Sequence, residues 1–241
     1  MKEIRRLYSN AGIQTEYKRK LDVLIDSMYA SVFLWLQQGK TANEIARLIK
    51  KNTKEWQKVF GKQAKRIANW FTQNVKRYIT TGMRNAFLEQ GYFIKPRISK
   101  QREEAVYLEN VELIESIPDK FFAGLAILLL MAVQYGDDYD LTSEIKKRYD
   151  ITKRRARTIA DDQNHKASMI FKLSICEELG ITKGRWKYTW RSKEPRLSHI
   201  KSDGKLFDLD KGLKIDGKYW YPAEDYNCKC DFVPVITEFN E

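Results

Sequence analysis

Of the chain's 241 residues only two are histidines and three are cysteines, and three of these five fall between Trp186 and Val235: His199, Cys228 and Cys230. An imidazole and two thiolates form a donor set suited to zinc, which takes sulfur, nitrogen and oxygen ligands in tetrahedral geometry. The Cys-x-Cys spacing is favourable. Side chains at i and i+2 of an extended segment leave the same face, so Cys228 and Cys230 present both sulfurs to one side. Asp203 or Asp208 could complete a structural zinc site as the fourth ligand. A plainer reading uses the same residues as small buried hydrophobes (the two cysteines) and a hydrogen-bonding turn residue (His199); the spacing leaves both open. His165 can contribute only if its helix packs on this segment, and Cys176 reads as packing alone.

Arg196, His199 and Asp203 also make a possible catalytic set: a base, a carboxylate to orient it and a cation to stabilise an anion. On a basic chain such a set would belong to a metal-dependent nuclease or toxin-like enzyme acting on nucleic acid. No Gly-rich phosphate loop, no His-Glu-x-x-His and no second nearby histidine accompanies it. The reading preferred here is therefore a non-enzyme, with the nuclease as the alternative.

The ordered run Trp190, Arg196-x-x-His199, Asp203-Gly204-Lys205-x-Phe207, Pro222, Asn227-Cys228-Lys229-Cys230 and Pro234-Val235 resembles the phage Mu F-like minor head protein family. Asp162-Gln163-x-x-Lys166 and Leu179-Gly180-Ile181 fit the same pattern. The linker departs from it: Lys193-Glu194-Pro195 stands where the family usually has an acidic residue and then Arg or Val. The resemblance covers about the last third of the chain. It implies a head morphogenesis protein of a tailed phage or prophage, working in procapsid assembly with portal and capsid or scaffold proteins. It also implies contact with packaged double-stranded DNA, and a place inside the virion head after assembly in the bacterial host cytoplasm.

Glycines, prolines and short aromatic or β-branched runs mark the segment that carries these residues as strands and turns. Asp203-Gly204 suits a hairpin between the runs Leu197–Ser202 and Leu206–Leu209, and Asp216-Gly217 suits another. Tyr188, Trp190, Phe207, Trp220 and Tyr221 are candidates for the core. Everything upstream reads as helix, so the fold class is α+β: a helical body over 1–180 and a small β-rich module over 181–241. A module of about 50 residues is marginal alone, so it should dock on the preceding helix or hold a metal.

The net charge is +12. Residues 1–100 carry 21 basic and 7 acidic residues, a balance of +14; residues 101–241 carry 23 and 25. That asymmetry favours a polyanionic partner such as DNA. Lys62, Lys65, Arg66, Lys76, Arg77 and Arg84 lie off the apolar stripe of the 61–90 helix and are the candidate DNA or partner contacts. Too few cysteines are present for a disulfide framework, and the start shows no secretory signal pattern.

Residues 1–20 read as an extended arm. Helices are expected over 20–38 with a stop at Gly39, from a Thr41/Glu44 capping box, over 61–90 ending at Gly91, over 100–117, over 141–149, and from a Thr152 cap to Leu179 with Gly180 beyond it. Arg154, Arg155 and Arg157 would then crowd a helix start, against the dipole. Phe121–Val133 is the most apolar run. It is shorter than the roughly 20 residues a membrane span needs, so it predicts a fully buried helix and no stable membrane insertion.

Overall fold

The computed structural model describes residues 1–38, 41–189 and 195–237. Four long helices dominate: α1 (Ala11–Gln37), α2 (Ala42–Leu88), α3 (Lys100–Tyr135) and α4 (Leu141–Glu178). The short helix α5 (Leu197–Ile200) lies among strands β2 (Lys183–Lys187), β3 (Leu206–Asp208), β4 (Leu213–Ile215), β5 (Lys218–Trp220) and β6 (Asp231–Ile236). A first strand, β1 (Lys2–Glu3), precedes them all. The α+β expectation holds.

The helices are fewer and longer than the sequence suggests. Asn10 begins α1: its Oδ1 accepts the Ile13 N–H at 3.0 Å, the usual work of an asparagine N-cap. Residues 1–10 alone are extended, and the expected stop at Gly39 lies outside the described residues. The Thr41/Glu44 box forms reciprocally, with Thr41 N–H on Glu44 Oε2 at 2.9 Å and Glu44 N–H on Thr41 Oγ1 at 3.3 Å. The helix it opens runs through Gly61 without a break. Likewise α3 carries Pro118 in its interior. Thr152 caps nothing: it sits inside α4, where its hydroxyl donates to Arg148 O at 2.9 Å, the i−4 back-bond of a mid-helix threonine. The cap is Asp140, whose Oδ1 accepts the Ser143 N–H. Arg154, Arg155 and Arg157 therefore lie mid-helix. At the far end Ile181 N–H bonds Cys176 O at 2.9 Å and Gly180 N–H bonds Glu177 O. With Gly180 at φ +67°, this is the glycine-terminated stop expected there.

The chain forms two compact units, and the divisions fall within the long helices. One comprises Met1–Gln14, Phe71–Tyr107 and Asp161–Glu241; the other comprises Thr15–Trp70 and Leu108–Ala160. The second is wholly helical. Its core takes Tyr17, Leu21, Ile25, Met28 and Val32 from α1, with Phe60 and Phe121 from α2 and α3. Tyr17 Oη donates to Asn110 Oδ1 at 2.8 Å.

In the same unit Phe121–Val133 is helical but not fully buried, which corrects the expectation. Phe121, Phe122, Leu125 and Leu129 face inward, while Ile127, Leu130 and Val133 are 59%, 71% and 60% exposed. A continuous apolar run has no polar face to betray which side meets water, so the pattern could not separate a buried helix from one with a bare apolar side. The stretch belongs to a 36-residue helix that is long and apolar enough to cross a membrane, with one third of its most apolar window buried. One such helix does not by itself indicate membrane insertion.

The other unit holds the sheet, antiparallel throughout in the order β1-β6-β2-β3. Strand β6 is central and almost entirely buried, and β1 pairs Lys2 with Ile236 and Glu3 with Val235. Strands β4 and β5 form a separate hairpin with Ile215 opposite Lys218. Its two-residue loop is Asp216-Gly217 at φ +50° and +85°, the positive-φ pair that a tight hairpin selects. The Asp203-Gly204 hairpin does not form, because Leu197–Ile200 is helical and β3 pairs with β2 instead.

Candidate metal centre

Strand β2 supplies the floor of the site. Trp186 is fully buried, with its ring edge-on to the His199 imidazole (centroids 5.7 Å, planes at 82°) and to Phe207 at 6.0 Å. Phe207 in turn meets Phe232 of β6 at 6.1 Å. Trp186, absent from the candidate core, is its centre. Phe207 and Tyr188 are buried as expected; Trp220 and Tyr221 are only half-buried, and Trp190 lies outside the described residues.

The motif residues around this floor each hold a segment in place. Asp203 and Gly204 clasp β2: Asp203 Oδ1 accepts the Tyr188 N–H at 2.7 Å, and Gly204 N–H bonds Trp186 O at 2.9 Å. Arg196 ties α5 to the turn ahead of the cysteines, donating to Tyr226 O at 2.8 Å and pairing with Asp225 at 3.3 Å. Asn227 stands at φ +55° and its N–H reaches Asp162 Oδ1 on α4 at 2.9 Å. This places Cys228 and Cys230 on the extended run into β6, both facing inward.

His199, Cys228 and Cys230 converge. The His199 Nδ1 lies 3.4 Å from Cys228 Sγ and 3.5 Å from Cys230 Sγ. All three residues are buried, and their donor atoms lie within 4.8 Å of one another. The hydrogen bond between the two thiols dominates their acidity. It pulls Cys228 well below the ordinary thiol range, helped by His199 and opposed by burial, and it pushes Cys230 up. Cys176 differs: burial, opposed by Lys172, pushes its thiol up to about 12.

Asp203 and Asp208 are not in this group. Asp203 is exposed and engaged with the Tyr188 backbone, and Asp208 pairs with Lys183. His165 is also outside it. Its Nδ1 faces Asp161 O at 2.8 Å, and burial holds the imidazole below its usual range. Arg196, His199 and Asp203 therefore have separate tasks in this geometry.

Beside the site lies a buried ionic cluster that sequence reasoning missed. Lys172 of α4 is 2% exposed and pairs with Asp231, the first residue of β6. Its ammonium also reaches Leu7 O at 3.2 Å and stands over the Phe232 ring at 5.1 Å. Arg6 reaches Asp231 Oδ2 at 3.4 Å and Thr189 Oγ1 at 2.5 Å. The available signal was a lone lysine in the apolar run Ile170–Cys176. Of the candidate DNA contacts, Lys62, Lys65, Arg66, Arg77 and Arg84 are exposed, whereas Lys76 is neutralised by Glu103 at 2.6 Å.

The protein is thus a helix-rich α+β chain with a His/Cys/Cys pocket closed by an ordered motif. Residues 125–233 match the family described as Phage Mu protein F like protein, the family that the motif resembles. The matched stretch opens inside α3 and closes inside β6, so it contains the whole pocket. The family points to phage head morphogenesis, a role that is generally structural rather than enzymatic. No curated protein and no solved structure matches the chain.

Proposed function

We propose that this chain is a minor head protein of a tailed phage or prophage, acting in procapsid assembly in association with the portal and in contact with packaged DNA. The observation that carries this reading is the family match over residues 125–233. Two surface properties support it. The +14 balance of residues 1–100, with five of six candidate cations exposed on α2, suits a polyanion at close quarters. The bare side of α3 supports a subunit contact, since contiguous exposed apolar surface marks interaction sites. With Ala46 and Ile49 of α2, its Ala126, Leu130 and Val133 line a groove of about 710 Å³.

Co-expression with the portal and major capsid proteins of the same genome tests the assembly role. Co-purification with the portal is the expected result; procapsids that form with the portal but without this chain bound would overturn it. DNA contact is tested on the full chain. Binding should be independent of sequence and fall steeply with salt, because each phosphate contact releases counterions. Reversing Lys62, Lys65 and Arg66 together to Glu should weaken it. An unchanged affinity would remove α2 from the DNA surface.

A further inference from the structure

We propose that His199, Cys228 and Cys230 hold a single zinc ion that fastens α5 to the run into β6. This rests on geometry and does not depend on the head-protein reading. A tetrahedral zinc takes sulfur at about 2.3 Å and imidazole nitrogen at about 2.0–2.1 Å, which sets neighbouring S and N ligands about 3.6 Å apart. The two S···N separations are 3.4 and 3.5 Å. Both bear on the same imidazole nitrogen, and all three donor atoms lie within 4.8 Å of one another.

The donor set selects the ion. Two thiolates and an imidazole favour a soft or borderline cation and disfavour magnesium or calcium, which take oxygen. The surroundings fit a metal–thiolate centre as well. The indole N–H of Trp186 is buried with no hydrogen-bond partner among the described residues, and its ring stands edge-on to the His199 imidazole at 5.7 Å. A buried, unpaired N–H donor in the shell around such a site is suited to orienting a ligand and tuning its charge. Among the described residues the group supplies three protein ligands.

The ion would close a loop of 29 residues between His199 and Cys228. That loop holds β3, the β4–β5 hairpin and the turn through Asn227, none of which has more than three residues in a strand.

The test is metal analysis of the full-length, untagged chain purified under reducing conditions. One zinc per chain is expected. Cobalt in its place should give an intense visible spectrum of a tetrahedral ion with a thiolate charge-transfer band. Cys228→Ser and Cys230→Ser should each lose the metal and that band, and Cys176→Ala should keep both. Alkylation of the wild-type chain covers the case in which those variants fail to fold. Cys228 and Cys230 should be protected when metal is loaded and reactive after chelation. Folded, reduced wild-type chain that takes up neither zinc nor cobalt would overturn the proposal. So would cobalt bound without the thiolate band, or alkylation indifferent to chelation.

Discussion

The two units invert the usual sorting of residues in opposite ways. The sheet-bearing unit buries charge: Lys172 and Asp231 pair beneath β6, with Arg6 attached. The all-helical unit exposes hydrocarbon: Ile127, Leu130 and Val133 stand in water along one side of α3. Buried charge survives only when it is paired and hydrogen-bonded, so the first region is complete within the chain. Exposed apolar surface marks interaction sites, which is why the proposed subunit contact is placed on the second. One region holds a particular internal arrangement of strands and ligands; the other offers a surface.

The largest effects should separate these regions cleanly. Lys172→Met leaves Asp231 without its main partner in a dry site and should cost about 3–5 kcal/mol in denaturant unfolding; a loss below about 1 kcal/mol would mean that Arg6 or water neutralises the carboxylate. On α3, two adjacent positions should behave as opposites. Leu129→Asp puts a charge in the core and should cost about 3 kcal/mol or more. Leu130→Asp should leave stability within about 0.5 kcal/mol yet abolish co-purification with the portal. If Leu130→Asp destabilises the free chain instead, the bare face is covered within the chain itself and the contrast fails.

A smaller effect probes how tightly the sheet packs. A methyl on Gly184 of β2 would meet Leu209 Cδ2 at 2.6 Å, Phe232 at 3.1 Å and Phe207 at 3.2 Å. Gly184→Ala should therefore cost about 1–3 kcal/mol, the range for overpacking, read as a lower urea midpoint. The smallest effect is electrostatic. Burial lowers the His165 pKa in the folded state, so the unfolded state binds the proton more readily. Stability should be full above the unfolded value of about 6.5 and fall as pH drops toward the lower folded value. Comparing urea midpoints near about pH 7 and about pH 5 checks this, and His165→Asn should flatten the difference.

The sequence exposed local chemistry better than it exposed tertiary choice. The capping box at Thr41, the stop at Gly180 and the Asp216-Gly217 hairpin were readable because each is decided by a few neighbouring residues. The convergence of His199 with Cys228 and Cys230 was readable from residue type and spacing together. Long-range packing was not. Thr152 has the side chain of a cap, but helical residues on both sides of it absorb it into α4. Gly61 and Pro118 look like breaks, yet the helices run through them. Lys172 looks like a solvent residue until Asp231, 59 positions later, is placed beside it. Asp203 looked like a ligand because acid beside histidine suggests one, and its carboxylate instead holds a backbone N–H.

The pairing of β1 with β6 sets an order in time. Lys2 and Glu3 are made more than 230 residues before their partners Ile236 and Val235. At about 5–20 residues per second, the first strand waits on the order of 10 to 50 s for its neighbour. Over that interval the all-helical unit can form from residues already made, while the sheet and the His/Cys pocket cannot close. A truncated chain ending before β6 would therefore carry the helices and their bare apolar side, and all three pocket donors, but neither the strand that backs the pocket nor the seat for Lys2 and Glu3.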